Sequence, residues 1–265
     1  AIWRPKPMIQ PIKRLGQNFL KDPNTIRRIV GSLHANSEDR VVEIGPGMGA
    51  LTGLLAEKYA DFSAIELDQR AVDYLRDELP NVRVDQGDVL KVDWAARAEG
   101  ATESLVSVIG NLPYYITSQI LFGLLDASGS IREAVIMMQY EVAARLVAVP
   151  RTKDYGILSV VVQLACKPQI LFPVSSNVFY PKPDVRSAMV RLEFPKTAPE
   201  HGVNSAWLRK IVRSAFNQRR KTLRNSLSAI TGESGKELPD SVKGRRAEEL
   251  TPNEFVDLAL YLQGD

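Results

Sequence analysis

The sequence predicts an α/β fold, a mostly parallel sheet with helices on both faces, followed by a small all-α C-terminal domain. Three observations carry this. Strand-like and helix-like segments alternate through the first 195 residues, as expected of parallel strands joined by crossover helices. Residues 195–204, with Pro195, Pro199 and Gly202, form a linker-like break. Everything beyond reads as helix. The expected domains are therefore 1–195 and 196–265.

Taken in order, strands are expected at 40–44, 62–66, 81–86, 105–110, 134–138 and 187–194. Helical patterns lie between them, for example at 49–59, 69–78, 117–126 and 154–165. The strand at 187–194 follows a Pro-rich loop and is expected to be antiparallel, at the sheet edge. Thr251 suits an N-cap and Pro252 a first helical position, which opens the final helix.

At 265 residues, with 45% hydrophobic and 25% charged residues, the chain has the composition of an ordinary globular protein. One cysteine, Cys166, excludes an intramolecular disulfide and a cysteine metal cluster. It fits a reducing compartment, so a cytoplasmic protein is expected. No apolar run approaches the roughly 20 residues of a membrane span. The start, Ala1-Ile2-Trp3-Arg4-Pro5, has no signal-peptide core. It also lacks Met, which leaves open a processed form working in an organelle matrix or stroma.

The net charge of +3 is unevenly laid out. Residues 1–21 carry Arg4, Lys6, Lys13, Arg14 and Lys21 and no acid. Residues 201–232 carry Arg209, Lys210, Arg213, Arg219, Arg220, Lys221 and Arg224, again with no acid. The net +3 less these 12 cations leaves −9 on the remaining 212 residues. Basic charge at two ends of an acidic body points to a polyanion such as RNA or DNA.

Asn111-Leu112-Pro113-Tyr114 follows the apolar strand ending at Gly110, where a parallel sheet presents its carboxyl ends to a ligand. The four residues suit a planar amine. An amide oxygen and a backbone carbonyl accept its hydrogens, Pro113 stiffens the turn and Tyr114 offers a ring. A tetrapeptide of this kind resembles the mark of methyltransferases that act on amines of nucleobases or of glutamine. As a purely structural feature it would be a β-turn with a buried Tyr.

Upstream, Val41-Val42-Glu43-Ile44-Gly45-Pro46-Gly47-Met48-Gly49 is a strand running into a Gly-rich turn and then a helix. The spacing Gly-x-Gly-x-Gly departs from the dinucleotide pattern. Glu43 suits a cationic, methionine-like moiety and would repel a pyrophosphate. Glu66, 21 residues after Gly45, ends the second strand and suits two ribose hydroxyls. Asp88 ends the third and suits an adenine amine. Acids at three successive strand ends point to S-adenosylmethionine (SAM), and so to a Rossmann-like SAM-dependent methyltransferase sheet.

With these pieces placed, the chain closely resembles the KsgA family of ribosomal RNA adenine dimethyltransferases over nearly its whole length. The likeness includes Leu15-Gly16-Gln17-Asn18-Phe19-Leu20, the Glu43–Gly49 loop, Ile65-Glu66-Leu67-Asp68, Gly87-Asp88 and Asn111–Tyr114. It extends to the segment from Phe179 to Ser187 and to Ala215–Leu227. The resemblance implies dimethylation of two adjacent adenosines near the 3′ end of small-subunit rRNA, within a pre-assembled subunit. It implies that Asn18 and Leu20 close over the cofactor and that Gly45, Glu66 and Asp88 bind SAM. It further implies that Asn111, Leu112 and Tyr114 hold the adenine while Phe179 stacks on it. Tyr180-Pro181-Lys182-Pro183 departs from the family's usual Thr-Pro-Pro-Pro. That Lys resembles a sister family of antibiotic-resistance enzymes acting on large-subunit rRNA, whereas 215–227 looks typical of the KsgA family.

If 208–227 were one helix, Arg209, Arg213, Arg220 and Arg224 would fall within an arc of about 60°. Arg219 would enter the apolar stripe of Leu208, Val212, Ala215 and Phe216, so a break near Asn217-Gln218 is expected. These cations, with Lys221, suit phosphate contacts. No metal, nucleophilic residue or His catalysis is expected, His34 and His201 being structural or surface residues, and the chain is expected to be a monomer. Three alternatives compete: a methyltransferase-fold nucleic-acid-binding assembly or transcription factor, a resistance-type large-subunit rRNA enzyme, and an NAD-dependent dehydrogenase. The last is disfavoured by the glycine spacing and the lack of a hydride-transfer partner residue.

Overall fold

The computed structural model describes residues 10–11, 17–197 and 201–263. The cations Arg4, Lys6, Lys13 and Arg14, the Leu15-Gly16 start of the N-terminal motif and Pro199 lie outside the described residues.

Nine strands are present among the described residues: β1 (Phe19–Leu20), β2 (Val41–Ile44), β3 (Phe62–Glu66), β4 (Arg83–Gln86), β5 (Val106–Asn111), β6 (Ile131–Gln139), β7 (Lys167–Val174), β8 (Phe179–Tyr180) and β9 (Ser187–Glu193). Seven form one sheet in the order β4-β3-β2-β5-β6-β9-β7, and β1 pairs with β8 apart from it. The pairs from β4 to β6 are parallel, while β9 runs antiparallel to β6. β2 is buried at all four positions, as a parallel strand covered on both faces must be. The expected helices at 69–78 and 117–126 appear as Gln69–Glu78 and Thr117–Asp126.

Two sheet features differ from expectation. β9 is antiparallel but not at the edge, because β7 lies outside it. β7 carries Pro168 and Pro173, residues tolerated on an edge strand because they donate no ladder hydrogen bond there. The interruption of its apolar pattern by these prolines hides it in the sequence.

A buried ion pair anchors the antiparallel part of the sheet. Arg191 Nε lies 3.3 Å from Glu133 Oε2, and both residues are buried. Glu133 Oε1 accepts the backbone N–H groups of His34 and Ala35 at 2.7 and 3.0 Å. Arg191 donates to the Ser32 carbonyl. The segment between helix Pro23–Val30 and β2 is thereby fastened to β6 and β9.

The chain divides into two compact units, residues 1–143 with 169–196, and 144–168 with 197–265. This departs from a single boundary at 195/196. Helix Ile157–Ala165 packs against helices Ser205–Asn217 and Pro252–Leu262, so a segment that reads as part of the first domain folds with the second. Among its described residues the second unit is built mainly of helices. Phe216 packs its ring 6.0 Å from Tyr155 and 5.8 Å from Phe255. Tyr155 donates its hydroxyl to the Leu250 carbonyl at 2.8 Å. Thr251 and Glu254 form a capping box with Pro252 in the first turn, as expected.

In the first unit the strand order reverses between β2 and β5, the switch point at which α/β sheets bind ligands. There the chains approach so closely that a Cβ on Gly110 would lie 2.4 Å from the Ile44 carbonyl oxygen. No rotamer relieves a clash with backbone. Gly110→Ala is expected to cost about 1–3 kcal/mol of folding stability through overpacking. Chemical denaturation of variant and parent checks it.

Candidate active site

Loops from the carboxyl ends of four neighbouring strands, together with Gln17–Leu20, line one cleft. After β2 the chain turns through Gly45, Pro46 and Gly47 to Gly49. At Gly49 φ is +81° and a Cβ would sit 2.8 Å from Leu75 Cδ2, so the turn needs glycine there. Leu67 follows β3, Gly87 and Asp88 follow β4, and Asn111 to Ile116 continue β5.

Among the described residues the charged groups of the lining are Glu43, Glu66 and Asp88, with no Lys, Arg or His. Acids at three strand ends disfavour a pyrophosphate there and favour a cation. Glu43 is buried and accepts the Thr52 hydroxyl at 2.7 Å. Burial pushes its carboxyl up to about 8, opposed by the Thr52 bond and reinforced by the charge of Glu66. Glu66 accepts the Gly47 N–H at 3.0 Å and the Asp68 N–H at 2.9 Å, so it ties the Gly-rich turn to the end of β3. Burial raises its carboxyl too, against those bonds. Asp88 Oδ1 accepts the Leu90 N–H at 3.0 Å and caps a short 3₁₀ turn, as a capping acid would. Asp88 also lines the cleft.

On the β5 side, Asn111 Nδ2 donates to the Asn18 carbonyl at 3.0 Å. A carbonyl can only accept, so this bond fixes which way the amide faces and leaves Oδ1 as its acceptor. Leu112 donates its N–H to the Met137 carbonyl, which holds the turn against β6. The Tyr114 hydroxyl lies 2.7 Å from the Ser187 hydroxyl, and burial raises its pKa. Asn18 and Leu20 also line the cleft.

The structure does not bring Phe179 to this cleft. Leu20 pairs with it across β1 and β8, and its ring is 1% exposed in the apolar cluster that holds Leu20, Val174 and Met189. The core position outweighs the expectation drawn from its Pro-rich neighbourhood. Tyr115, which the sequence reading passed over, is 54% exposed and lines the cleft. The doubled Tyr after Pro113 is the signal that marks it. Gln17 was missed as well: it donates to Asp68 at 2.9 Å and lines the cleft.

The basic segment is not one helix. Helix Ser205–Asn217 ends where the break was expected, and a short helix, Leu223–Ser226, follows. The common arc of Arg209, Arg213, Arg220 and Arg224 therefore does not form. Arg219 is committed within its own unit: Nε to Glu248 at 2.7 Å, Nη1 to the Lys153 carbonyl at 2.8 Å and Nη2 to the Thr152 carbonyl at 2.9 Å. With these donors engaged it is a strut, which corrects its assignment to phosphate. Arg209 is half-buried and partnered. Arg213, Arg220, Lys221 and Arg224 are exposed. His34 is exposed, and His201 Nε2 lies 3.1 Å from the Leu164 carbonyl. Among the described residues no cluster of His, Cys, Asp and Glu could hold a metal, and no helix is long and apolar enough to cross a membrane.

The raised carboxyl of Glu43 has a signed consequence. Between about pH 4.5 and 8 the unfolded chain ionises this group while the folded one retains the proton, so its contribution to stability falls as pH rises. Glu43→Gln mimics the protonated form and removes that loss. Its stability relative to the parent is expected to increase from pH 5 to pH 8, as measured by denaturant titration without ligand.

The model of a family described as ribosomal RNA adenine dimethylase matches residues 10–264. The chain is 51% identical over 254 residues to the ribosomal RNA small subunit methyltransferase A of Salinibacter ruber, covering 96% of this chain and 85% of the relative. Among solved structures it is similar to a dimethyladenosine transferase from Plasmodium falciparum, with a TM-score of 0.76 and 24% identity over 91% of this chain and 96% of that one. It is also similar to the 23S rRNA methyltransferase ErmE, with a TM-score of 0.65 and 27% identity over 92% and 99% of the two chains. A match of this extent and identity, on a cleft of this chemistry, shows a methyltransferase that belongs to the ribosomal RNA adenine dimethylase family.

Proposed function

We propose that this enzyme uses SAM to dimethylate the N6 amines of two adjacent adenosines near the 3′ end of small-subunit rRNA, on a pre-assembled small subunit in the cytoplasm. The observation that carries the reading is the Asn111 amide, fixed by the Asn18 carbonyl beside a cleft whose charged groups, among the described residues, are all acids.

The cleft fits the cofactor. Glu43, Glu66 and Asp88 suit a ligand bearing a cationic sulfur, an ammonium, ribose hydroxyls and an adenine amine, and among the described residues the lining offers no cation for a phosphate. When bound, SAM supplies a methyl group on a positively charged sulfur. The protein's part is binding and orientation. An adenine amine is a poor nucleophile because its lone pair is delocalised into the ring. Asn111 Oδ1 and the Leu112 carbonyl accept the two amine hydrogens and turn the lone pair toward the methyl. Positive charge grows on the nitrogen as the bond forms, so both oxygens interact more strongly in the transition state than before it. Orientation of this kind is worth up to about 7–11 kcal/mol. The target base must leave its stack to reach the cleft. Tyr114, held by Ser187, and Tyr115 offer it aromatic surface, each stack worth about 1–3 kcal/mol.

The exposed Arg213, Arg220, Lys221 and Arg224 of the helical unit supply phosphate contacts. A small-subunit substrate is supported by the 51% identity to an enzyme named for the small subunit, against 27% to one named for 23S rRNA. Glu66, Asp88, Asn111 and Tyr114, all present in the cleft, support catalysis over a purely structural role in assembly or transcription.

Asn111→Ala is expected to keep SAM binding and lose most methyl transfer; equal activity of variant and parent would refute the role. Arg220→Glu with Arg224→Glu is expected to weaken RNA binding at least tenfold and leave SAM affinity unchanged. Unaltered RNA affinity at several salt concentrations would sink that assignment. The whole reading is tested by label transfer from SAM into small subunits lacking the modification, with large subunits as control. Transfer to large subunits alone would point to the resistance-type activity.

A further inference from the structure

Beside the amine-holding turn lies an exposed aromatic–cation pair that the chemistry above does not use. Tyr140 is 38% exposed, and the Arg186 guanidinium carbon lies 5.3 Å from its ring centroid. The Tyr140 N–H donates to the Arg186 carbonyl at 2.9 Å, which locks the two backbones together. Their chain neighbours Gln139 and Ser187 face each other across β6 and β9. Ser187 is fully buried and bonds the Tyr114 hydroxyl at 2.7 Å. One short relay of contacts therefore joins Tyr114, in the lining of the cleft, to the surface pair. Arg186 is exposed and no carboxylate pairs with it among the described residues.

A solvent-exposed Tyr ring carrying an unneutralised guanidinium has a recognisable chemistry. A base stacks on the aromatic surface, and a phosphate pairs with the cation. A nucleotide flipped into the cleft leaves a covalently attached neighbour at the rim, within one phosphodiester of it. We propose that Tyr140 and Arg186 hold the nucleotide next to the target adenosine, its base on the Tyr140 ring and its phosphate against Arg186. The inference rests on the rRNA-methylating reading above. It assigns the pair to positioning, not to chemistry. The backbone lock sets where the pair stands relative to Asn111, so the same contact that holds the neighbour aligns the target amine.

The test compares parent, Tyr140→Leu, Tyr140→Phe and Arg186→Ala. The measurements are SAM affinity, affinity for a short single-stranded RNA containing two adjacent adenosines, and methyl transfer to small subunits. Tyr140→Leu is expected to weaken RNA binding on the order of tenfold, Tyr140→Phe to restore it, and SAM affinity to stay at the parent value. Arg186→Ala is expected to lower the slope of log affinity against log salt by about one. A merely structural role for the pair would leave the salt slope at the parent value. If the parent transfers methyl groups and both the Leu and Ala variants bind RNA as the parent does, the proposal is wrong. If the parent transfers none to any RNA, the functional reading fails and this inference falls with it.

Discussion

The site depends on the close approach of two parallel strands at the point where the sheet reverses its order. Gly110 lets the end of β5 lie against the Ile44 carbonyl at the end of β2, with no room for a methyl group between them. The loop after β2 carries the Gly-rich turn, and Glu43 stands within that strand. The loop after β5 carries Asn111 to Tyr115. Without the approach, the acidic half of the cleft and the amine-accepting half would not share a cavity. The Asn111 to Asn18 bond ties the β5 loop to the Gln17–Leu20 segment, and the Glu66 to Gly47 bond ties the Gly-rich turn to the end of β3.

Electrostatics gives the cleft its selectivity at a cost in stability. Burying Glu43 and Glu66 near each other disfavours ionisation of both, and desolvation is the first cause in each case. A cationic ligand offsets this by supplying the missing charge. The protein holds the acids in place with Thr52 and with the backbone N–H groups of Gly47 and Asp68, which orient the carboxylates without neutralising them. A Lys or Arg in the lining would stabilise the free protein and weaken its preference for a sulfonium.

How much of this the sequence discloses follows from what each residue's neighbours are. β2, β3 and β5 are readable because strands buried on both faces are mostly apolar, with their acids and amide near the carboxyl ends. The helices at 69–78 and 117–126 are readable from their period. β7 is hidden by its two prolines, and β1 and β8 are too short for any pattern to register. Helix Ile157–Ala165 reads correctly as a helix, but its partners, helices Ser205–Asn217 and Pro252–Leu262, lie far along the chain, so its unit is a tertiary fact. The cleft acids and the Asn111 turn are legible because each sits at a strand end. Phe179 misleads because a Pro-rich neighbourhood suggests a loop while a two-residue pairing buries the ring. Arg219 shows the reverse: its place in an apolar stripe was visible, and the structure turns that place into an internal strut.

The account's central claim is that a cleft with acids at three successive strand ends is built for a sulfonium cofactor. Calorimetric titration of the purified chain with SAM and, separately, with NAD tests it most directly. The account predicts one saturable SAM site, lost in Glu66→Ala, and no heat of binding with NAD. Binding of NAD at comparable or higher affinity, or SAM binding that survives loss of Glu66 unchanged, would contradict it.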